Sequence, residues 1–310
     1  MLDLVFLGTG SGIPTPKRNL AAIWCRYEGE CWLWDCGEGT QRQLFKAKLN
    51  FMKIDKIFIT HWHADHWAGI IGLMQTMNLE KRTAPLTIYA PEAERFLGNI
   101  LDLDYWGPRF KIKPVDVPYQ GDAITVLHKT KTYQILSTPV QHGIPSVAYA
   151  FKEADTINVD IKKAEKKFGL KQGPAVGKLK SQGKLTYKGK TITLDDVGTV
   201  RRGIKVVYTG DTMVCDTVKT LATAADVLIH DATFGEEDIK ETKHAHPEEV
   251  AKLAHAAGVN HLVLTHFSRR YTDVSDLVAT AKKAFPKTLA ATDYLHLAIS
   301  DRGLTTTHLR

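Results

Sequence analysis

The chain has 310 residues, 44% of them hydrophobic and 24% charged, and a formal net charge of +7. That composition is ordinary for a globular protein and suffices for one large two-layered domain or two small ones. No run of 18 apolar residues and no signal-peptide pattern is present, which argues against a membrane-spanning helix and against export; a soluble, cytoplasmic protein with no membrane partner is expected. Cys25, Cys31, Cys36 and Cys215 form no C-x-x-C pair, so buried free thiols in a reducing cytosol are expected.

Leu2 to Leu7 is strand-like, and Gly8 to Asn19 follows as a Gly/Pro-rich loop that cannot extend it. In that loop Lys17 and Arg18 could approach a phosphate backbone. Strands near 20–26 and 31–35 should form a hairpin around Tyr27-Glu28-Gly29-Glu30. The string Asp35-Cys36-Gly37-Glu38-Gly39-Thr40-Gln41-Arg42-Gln43-Leu44 then runs into a helix.

Ile54 to Thr60 is an apolar, β-branched run that reads as a buried strand, and Trp67 to Met74 reads as a helix. Between them stands His61-Trp62-His63-Ala64-Asp65-His66, four potential metal ligands at the C-terminal end of a strand, where open α/β sheets place ligands. Residues two apart in an extended segment point the same way, so His61 and His63 can share one metal. Asp65 and His66, past the turn, can face a second ion. Imidazole and carboxylate without thiolate suit Zn²⁺, with Mn²⁺ or Fe as alternatives.

A strand over Pro85 to Ala90, a helix over Glu92 to Leu103, and strands near 111–117, 123–127 and 131–138 come next, the last ending near His142. Lys152 to Lys190 holds eleven Lys, no Arg and four acids, which accounts for the whole net charge. Such localised charge favours a polyanionic partner. From Lys152 to about Asp196 the apolar residues look too sparse for a core, so a flexible inserted arm is expected. The clearer of its two helix-like pieces is Ile161 to Phe168.

Ile204 to Thr209 is a buried strand leading to Asp211, whose carboxylate has two oxygens able to bridge two cations. Another strand ends at Leu228-Ile229-His230-Asp231-Ala232-Thr233. Pro247 fixes the start of a helix over 248–257, leaving His244 and His246 just before it. Leu262 to Thr265 leads into His266-Phe267-Ser268-Arg269-Arg270-Tyr271, in which Ser268 and Arg270 suit a phosphate through a hydroxyl and a guanidinium fork. A helix over 273–284 and a short strand near 295–299 close the chain.

The hexad from His61 to His66 resembles the metal-binding signature of the metallo-β-lactamase superfamily. Further strings narrow the resemblance to tRNase Z, the endonuclease that removes the 3′ trailer from precursor tRNA. They are Pro14-Thr15-Pro16-Lys17-Arg18-Asn19, the Asp35 to Leu44 string, Gly173-Pro174-Ala175-Val176-Gly177-Lys178-Leu179-Lys180, and Thr265 to Tyr271. The resemblance implies a four-layer αββα sandwich, an α/β fold in a single domain over 1–310, with residues 152–196 as a protruding arm, or exosite, for tRNA that includes Lys178 and Lys180. It also implies a homodimer. Two Zn²⁺ per chain are implied, one held by His61, His63 and His142, the other by Asp65, His66 and His266, with Asp211 bridging and Asp35 supporting the metal loop. Asp65 would orient or deprotonate the nucleophile. His244, backed by Asp231, would protonate the leaving 5′-oxygen. The products would be tRNA with a 3′-hydroxyl and a trailer with a 5′-phosphate.

Two departures stand out. The family writes H-E-A-T where this chain has His230-Asp231-Ala232-Thr233, and H-S-T where it has His244-Ala245-His246. A phosphodiesterase of the same superfamily acting on small esters would keep the ligands but need no lysine arm. A metal-free RNA-binding protein would not need the full ligand set that is present.

Overall fold

The computed structural model describes residues 1–102, 107–233 and 243–309. The chain divides into two units, one of Met1–Thr130, Gln134–Lys152 and Ile204–Arg310, the other of Lys131–Tyr133 and Glu153–Gly203.

In the first unit the described residues form two large sheets. One has the order Gly303–His308, Leu295–Ser300, Leu2–Gly8, Ala22–Tyr27, Glu30–Trp34, Ile54–Phe58, Leu86–Ala90, Ile112–Asp116. The other has the order Thr288–Ala290, His261–Thr265, Val227–Asp231, Lys205–Tyr208, Val147–Glu153, Tyr133–Pro139, Thr125–Lys129. Each mixes antiparallel pairs with a parallel run, Glu30–Trp34 to Ile112–Asp116 in the first and Lys205–Tyr208 to Thr288–Ala290 in the second. Parallel strands buried on both faces read as continuous apolar runs, which is why Ile54 to Thr60 and Ile204 to Thr209 were legible as buried strands.

Period-two alternation then assigns side chains to layers. Cys31 and Leu33 join a cluster with Leu44, Ile70, Leu73 and Met77 from helices Thr40–Lys46 and Gly69–Leu79. Their neighbours Trp32 and Trp34 turn the other way. Trp32 stacks on Phe151 and Trp34 on Tyr208, each with ring centroids 5.9 Å apart, so the two sheets meet through aromatic rings. On the far side Val207, Leu228 and Leu264 pack with Val218, Val250 and Ala281 from helices Asp216–Ala222, Pro247–Ala256 and Ser275–Ala284. The layers are helix, sheet, sheet, helix, as expected.

Several elements differ from expectation. Strands Thr288–Ala290 and Gly303–His308 and helix Asp216–Ala222 were not foreseen. The helix expected over Glu92 to Leu103 spans Ala93–Leu101, and Leu103 lies outside the described residues. The helix after the hexad starts earlier, as a turn over Ala64–Trp67 followed by Gly69–Leu79, so Asp65 and His66 sit on helical backbone. Cys25, Cys31 and Cys36 are buried and Cys215 is half-buried; all four are free thiols. No helix among the described residues is long and apolar enough to cross a membrane.

The second unit corrects the expectation of a segment too poor in apolar residues for a core. Val159, Ala164, Leu170, Val176, Leu179, Ile192 and Val197 are buried together. They come from helices Ile161–Phe168, Pro174–Gln182 and Leu194–Val197, and from two strand pairs, Thr156–Val159 with Gly198–Arg201 and Lys184–Tyr187 with Lys190–Thr193. The helices are separately capped. Asp160 Oδ1 accepts from the Lys163 N–H, Gly169 closes the first helix at φ 68°, Pro174 starts the second, and Thr193 with Asp196 forms a capping box. The apolar residues are few, but caps and turns hold them in register, and the lysines between them project outward. The unit ends at Gly203 rather than Asp196. The chain leaves the first unit after Lys152 and re-enters it at Ile204, next to Lys205, the register partner of Lys152 on an adjacent antiparallel strand.

Candidate metal centre

Five strand ends meet at one edge of the sandwich. Ile54–Phe58 delivers His61 to His66, Tyr133–Pro139 delivers His142, Lys205–Tyr208 delivers Asp211, Val227–Asp231 ends at Asp231, and His261–Thr265 delivers His266. His61, His63, His142 and Asp211 form one group whose ligand atoms all lie within 4.8 Å of one another, and Asp65, His66 and His266 form another. Asp211 also groups with His266, Asp231 and His244, so it stands between the clusters. The structure brings together every residue expected as a ligand.

The backbone here tolerates little else. A Cβ on Gly37 would lie 2.2 Å from the carbonyl oxygen of Asp65, and the metal loop is laced to this segment by Cys36 N–H to His66 O (2.7 Å) and Gly69 N–H to Cys36 O (2.9 Å). Gly210 holds φ 59°, with Thr60 2.6 Å from where its Cβ would be. Asp35 (φ 56°) and His266 (φ 62°) keep left-handed backbone despite their side chains, at a cost of about 1–2 kcal/mol each.

Asp35 supports the metal loop as expected of it. It is fully buried and accepts from Thr60 N–H (2.8 Å), Thr60 Oγ1 and the Tyr208 hydroxyl (2.7 Å), and its Oδ2 lies 2.7 Å from His66 Nδ1. That contact leaves His66 Nε2 as the ligand atom facing the site. Burial opposes charge on His66, but Asp211, Asp35 and Asp65 hold its pKa well above the usual imidazole range. Burial, then the nearby His66, pushes His61 well below that range, so His61 is neutral, the form in which imidazole binds metals. For Asp65 burial raises the pKa, but His66 and His266 more than offset it and hold the carboxylate ionised.

The donor set fits metal ions. Ring nitrogens approach each other at 3.0 Å (His61 Nε2 to His63 Nδ1), 3.2 Å (His142 Nε2 to His63 Nδ1) and 3.1 Å (His66 Nε2 to His266 Nε2). Ring nitrogens gathered this closely, with carboxylates beside them, are a donor set that a cation can share. Asp211 Oδ1 lies 3.2 Å from both His66 Nε2 and His266 Nδ1 yet is buried without a hydrogen bond of acceptable geometry.

Asp231 and His244 are turned toward each other instead. Asp231 Oδ1 accepts from Thr233 N–H (2.8 Å) and Thr233 Oγ1, and its Oδ2 is 2.5 Å from His244 Nδ1. Aspartate in place of the family's glutamate therefore still reaches the imidazole. His244 pairs with His142 and His266 at ring distances of 5.2 and 5.7 Å, so its other edge borders the centre. His246 does something else: its Nδ1 accepts from Glu248 N–H as the cap of helix Pro247–Ala256.

The Gly8 to Asn19 loop comes directly to this site. Gly12 N–H donates to Asp65 Oδ2 (2.7 Å), and Ser11 N–H donates to Phe267 O (3.1 Å). Arg18 donates to Tyr271 O (2.6 Å) and lies 5.5 Å over the Phe267 ring. Lys17, Arg18, Arg42 and Lys46, with Asp293, line a cavity of about 500 Å³. Ser268 is buried, its hydroxyl accepting from Arg270 N–H (3.4 Å), while Arg270 is exposed. Lys178 and Lys180 are exposed on helix Pro174–Gln182 of the second unit. Tyr208 and the Gly12 N–H escaped sequence reasoning, since neither carries a signal of its own. Thr60 and Thr233 could have been found as hydroxyls next to motif residues.

This fold and site define the class: residues 187–267 match the family model described as "Beta-lactamase superfamily domain", and residues 2–97 match one described as "Anti-Pycsar protein Apyc1". The metallo-β-lactamase fold protein YhfI of Bacillus subtilis superposes at a TM-score of 0.68 over 96% of this chain and 99% of its own, at 19% identity, a likeness of fold alone. The ribonuclease Z of Thermococcus gammatolerans is 45% identical over 275 residues (88% of this chain, 86% of the relative), and that of Archaeoglobus fulgidus 39% over 309 residues (97% and 98%). The crystal structure of human tRNase Z, short form, gives a TM-score of 0.69 at 28% identity, covering 96% of this chain and 99% of that one. The chain belongs to the ribonuclease Z family.

The Asp231–His244 pair has a pH signature. Burial lowers the His244 pKa, but Asp231 more than offsets this and raises it to about 9. A histidine raised in the folded state stabilises it fully below the unfolded value of about 6.5, and that stability is lost as pH rises through about 9. In chelator-treated protein, Asp231→Asn should therefore flatten the decline in melting temperature between these two pH values. An unchanged slope would mean that the pair does not titrate as a unit.

Proposed function

We propose that this chain is a two-zinc endoribonuclease that removes the 3′ trailer from precursor tRNA, with the converging histidines and aspartates as its active site. Membership of the ribonuclease Z family makes it a hydrolase of tRNA 3′ processing. The observation that carries the chemical reading is the convergence of His61, His63, His142, Asp65, His66, His266 and Asp211 at neighbouring strand ends. Two Zn²⁺ held there, one by His61, His63 and His142, the other by Asp65, His66 and His266, with Asp211 between, would polarise the scissile phosphate and the attacking water.

The chain's own groups supply the rest. Asp65 Oδ2, fixed by Gly12 N–H, orients the water and takes its proton. With a 5′-phosphate on the trailer, the bond that breaks is from phosphorus to the tRNA 3′-oxygen. The leaving atom is therefore that 3′-oxygen, which corrects the 5′-oxygen expected above. His244, held by the positioning residue Asp231, donates a proton to it. Ser268, Arg270, Lys17 and Arg18 hold neighbouring phosphates.

The lysine-rich second unit is the grip on the tRNA body. It carries the excess charge and none of the proposed ligands, and a large folded substrate lets binding energy be collected far from the reacting bond. The homodimer implied by the resemblance belongs to this proposal as well.

The direct test is cleavage of a precursor tRNA with the 3′ end of the product mapped. Zinc analysis should return about two ions per chain, and chelator-treated protein or Asp65→Ala should lose nearly all turnover while remaining folded. Full-rate cleavage by metal-free protein would sink the metal reading. Hydrolysis of a small aryl phosphodiester without cleavage of precursor tRNA would favour a small-ester phosphodiesterase instead.

His244→Ala should lose far more rate than His246→Ala, whose cost should fall on the helix that His246 caps and be read in melting temperature. A larger rate loss at His246 would reassign the acid. Replacing residues 153–203 by a short Gly/Ser linker need only join Lys152 to Ile204, whose neighbour Lys205 is the register partner of Lys152. It should raise KM for precursor tRNA and flatten its salt dependence, because each lost phosphate contact removes counterion release. Small-phosphodiester hydrolysis should persist. Wild-type affinity in the shortened protein would contradict the proposed grip.

A further inference from the structure

Two tyrosines of the second sheet send their hydroxyls across the sandwich. They are register partners on adjacent strands, Tyr149 opposite Tyr208, and both are buried. The Tyr149 hydroxyl donates to Ile59 O (2.7 Å), a backbone carbonyl two residues before His61. The Tyr208 hydroxyl donates to Asp35 Oδ2 (2.7 Å), the oxygen that also lies 2.7 Å from His66 Nδ1.

The Tyr208 contact closes a ring that no single strand could close. Tyr208 ends its strand three residues before Asp211. Asp211 Oδ1 lies 3.2 Å from His66 Nε2, His66 Nδ1 meets Asp35, and Asp35 returns to Tyr208. The ring joins a ligand carried by the second sheet to a ligand carried by the first. The aromatic body of Tyr208 stacks on Trp34, a contact that phenylalanine would also make. The hydroxyl adds what stacking does not, a directional bond to the carboxylate that orients His66. Thr60 and His66 hold Asp35 from the first sheet alone; the Tyr208 hydroxyl on Oδ2 adds the one side-chain bond to it from the second sheet given above.

The geometry points to Tyr208 as a positioning residue for the metal centre, setting the spacing of Asp211 from His66 through Asp35. The assignment rests on the two-zinc reading and goes beyond it to a residue that is not a ligand. Groups that orient a metal-bound histidine typically change affinity 10- to 100-fold when removed.

The test uses the full chain and zinc itself. Tyr208→Phe and, as comparison, Tyr149→Phe are titrated with zinc against a chromophoric chelator, and the melting temperature of each chelator-treated protein is recorded. Tyr208→Phe should bind one of the two ions at least tenfold more weakly than wild type, with the other changed less than threefold. Tyr149→Phe, which loses a bond to a carbonyl, should lower the melting temperature but keep both affinities. Nitrogen-15 NMR of the histidines gives a second readout without metal: the His66 Nδ1 signal should shift in Tyr208→Phe and stay in Tyr149→Phe. Wild-type affinities in Tyr208→Phe, or equal affinity losses in both variants, would overturn the assignment while leaving the zinc reading intact. Wild-type protein that binds no zinc would instead remove the zinc reading on which it rests.

Discussion

The Asp35 carboxylate is the constraint on which the rest depends. A buried charge is costly unless it is hydrogen-bonded and paired. Here it is enclosed by Thr60, His66 and Tyr208, and these donors come from different parts of the sequence and from both sheets. Satisfying it therefore requires the sandwich to be closed and the hexad loop to be in place. The left-handed backbone at Asp35 and the close approach of Gly37 to Asp65 are the local costs of putting the carboxylate there. In return the loop that carries four of the candidate metal ligands is tied to both sheets through one carboxylate.

Much of this was legible in the sequence because the relevant signals are local. Ile54 to Thr60 and Ile204 to Thr209 are buried on both faces, so hydrophobicity alone marks them as strands. A hexad of histidines and an aspartate directly after one of them marks a strand-end site. His142, Asp211 and His266 each follow a strand, and topology does the rest by bringing those ends to one edge. The resemblance to a known family supplied the layer order, which periodicity could not.

What was missed has a physical reason in each case. Thr288–Ala290 and Gly303–His308 are a short strand and a polar edge, held by register partners far away in sequence. The second unit was misjudged because counting apolar residues ignores caps; Asp160, Gly169, Pro174 and Thr193 make a small core from a sparse supply. Tyr208 and Gly12 act through a hydroxyl and a backbone N–H on partners more than fifty residues distant, which no local pattern reveals.

The pairing of Lys152 with Lys205 has a consequence for how such a protein can change over time. Everything between them is, to the sandwich, a hairpin connection of arbitrary content, and lengthening a loop whose ends already meet costs little. The inserted unit has its own buried residues, so substitutions that tune its surface charge need not pass through the main core. The part that holds the chemistry and the part that carries the lysines can therefore drift at separate rates. Relatives with very different insertions at this hairpin could retain one and the same arrangement of strand ends.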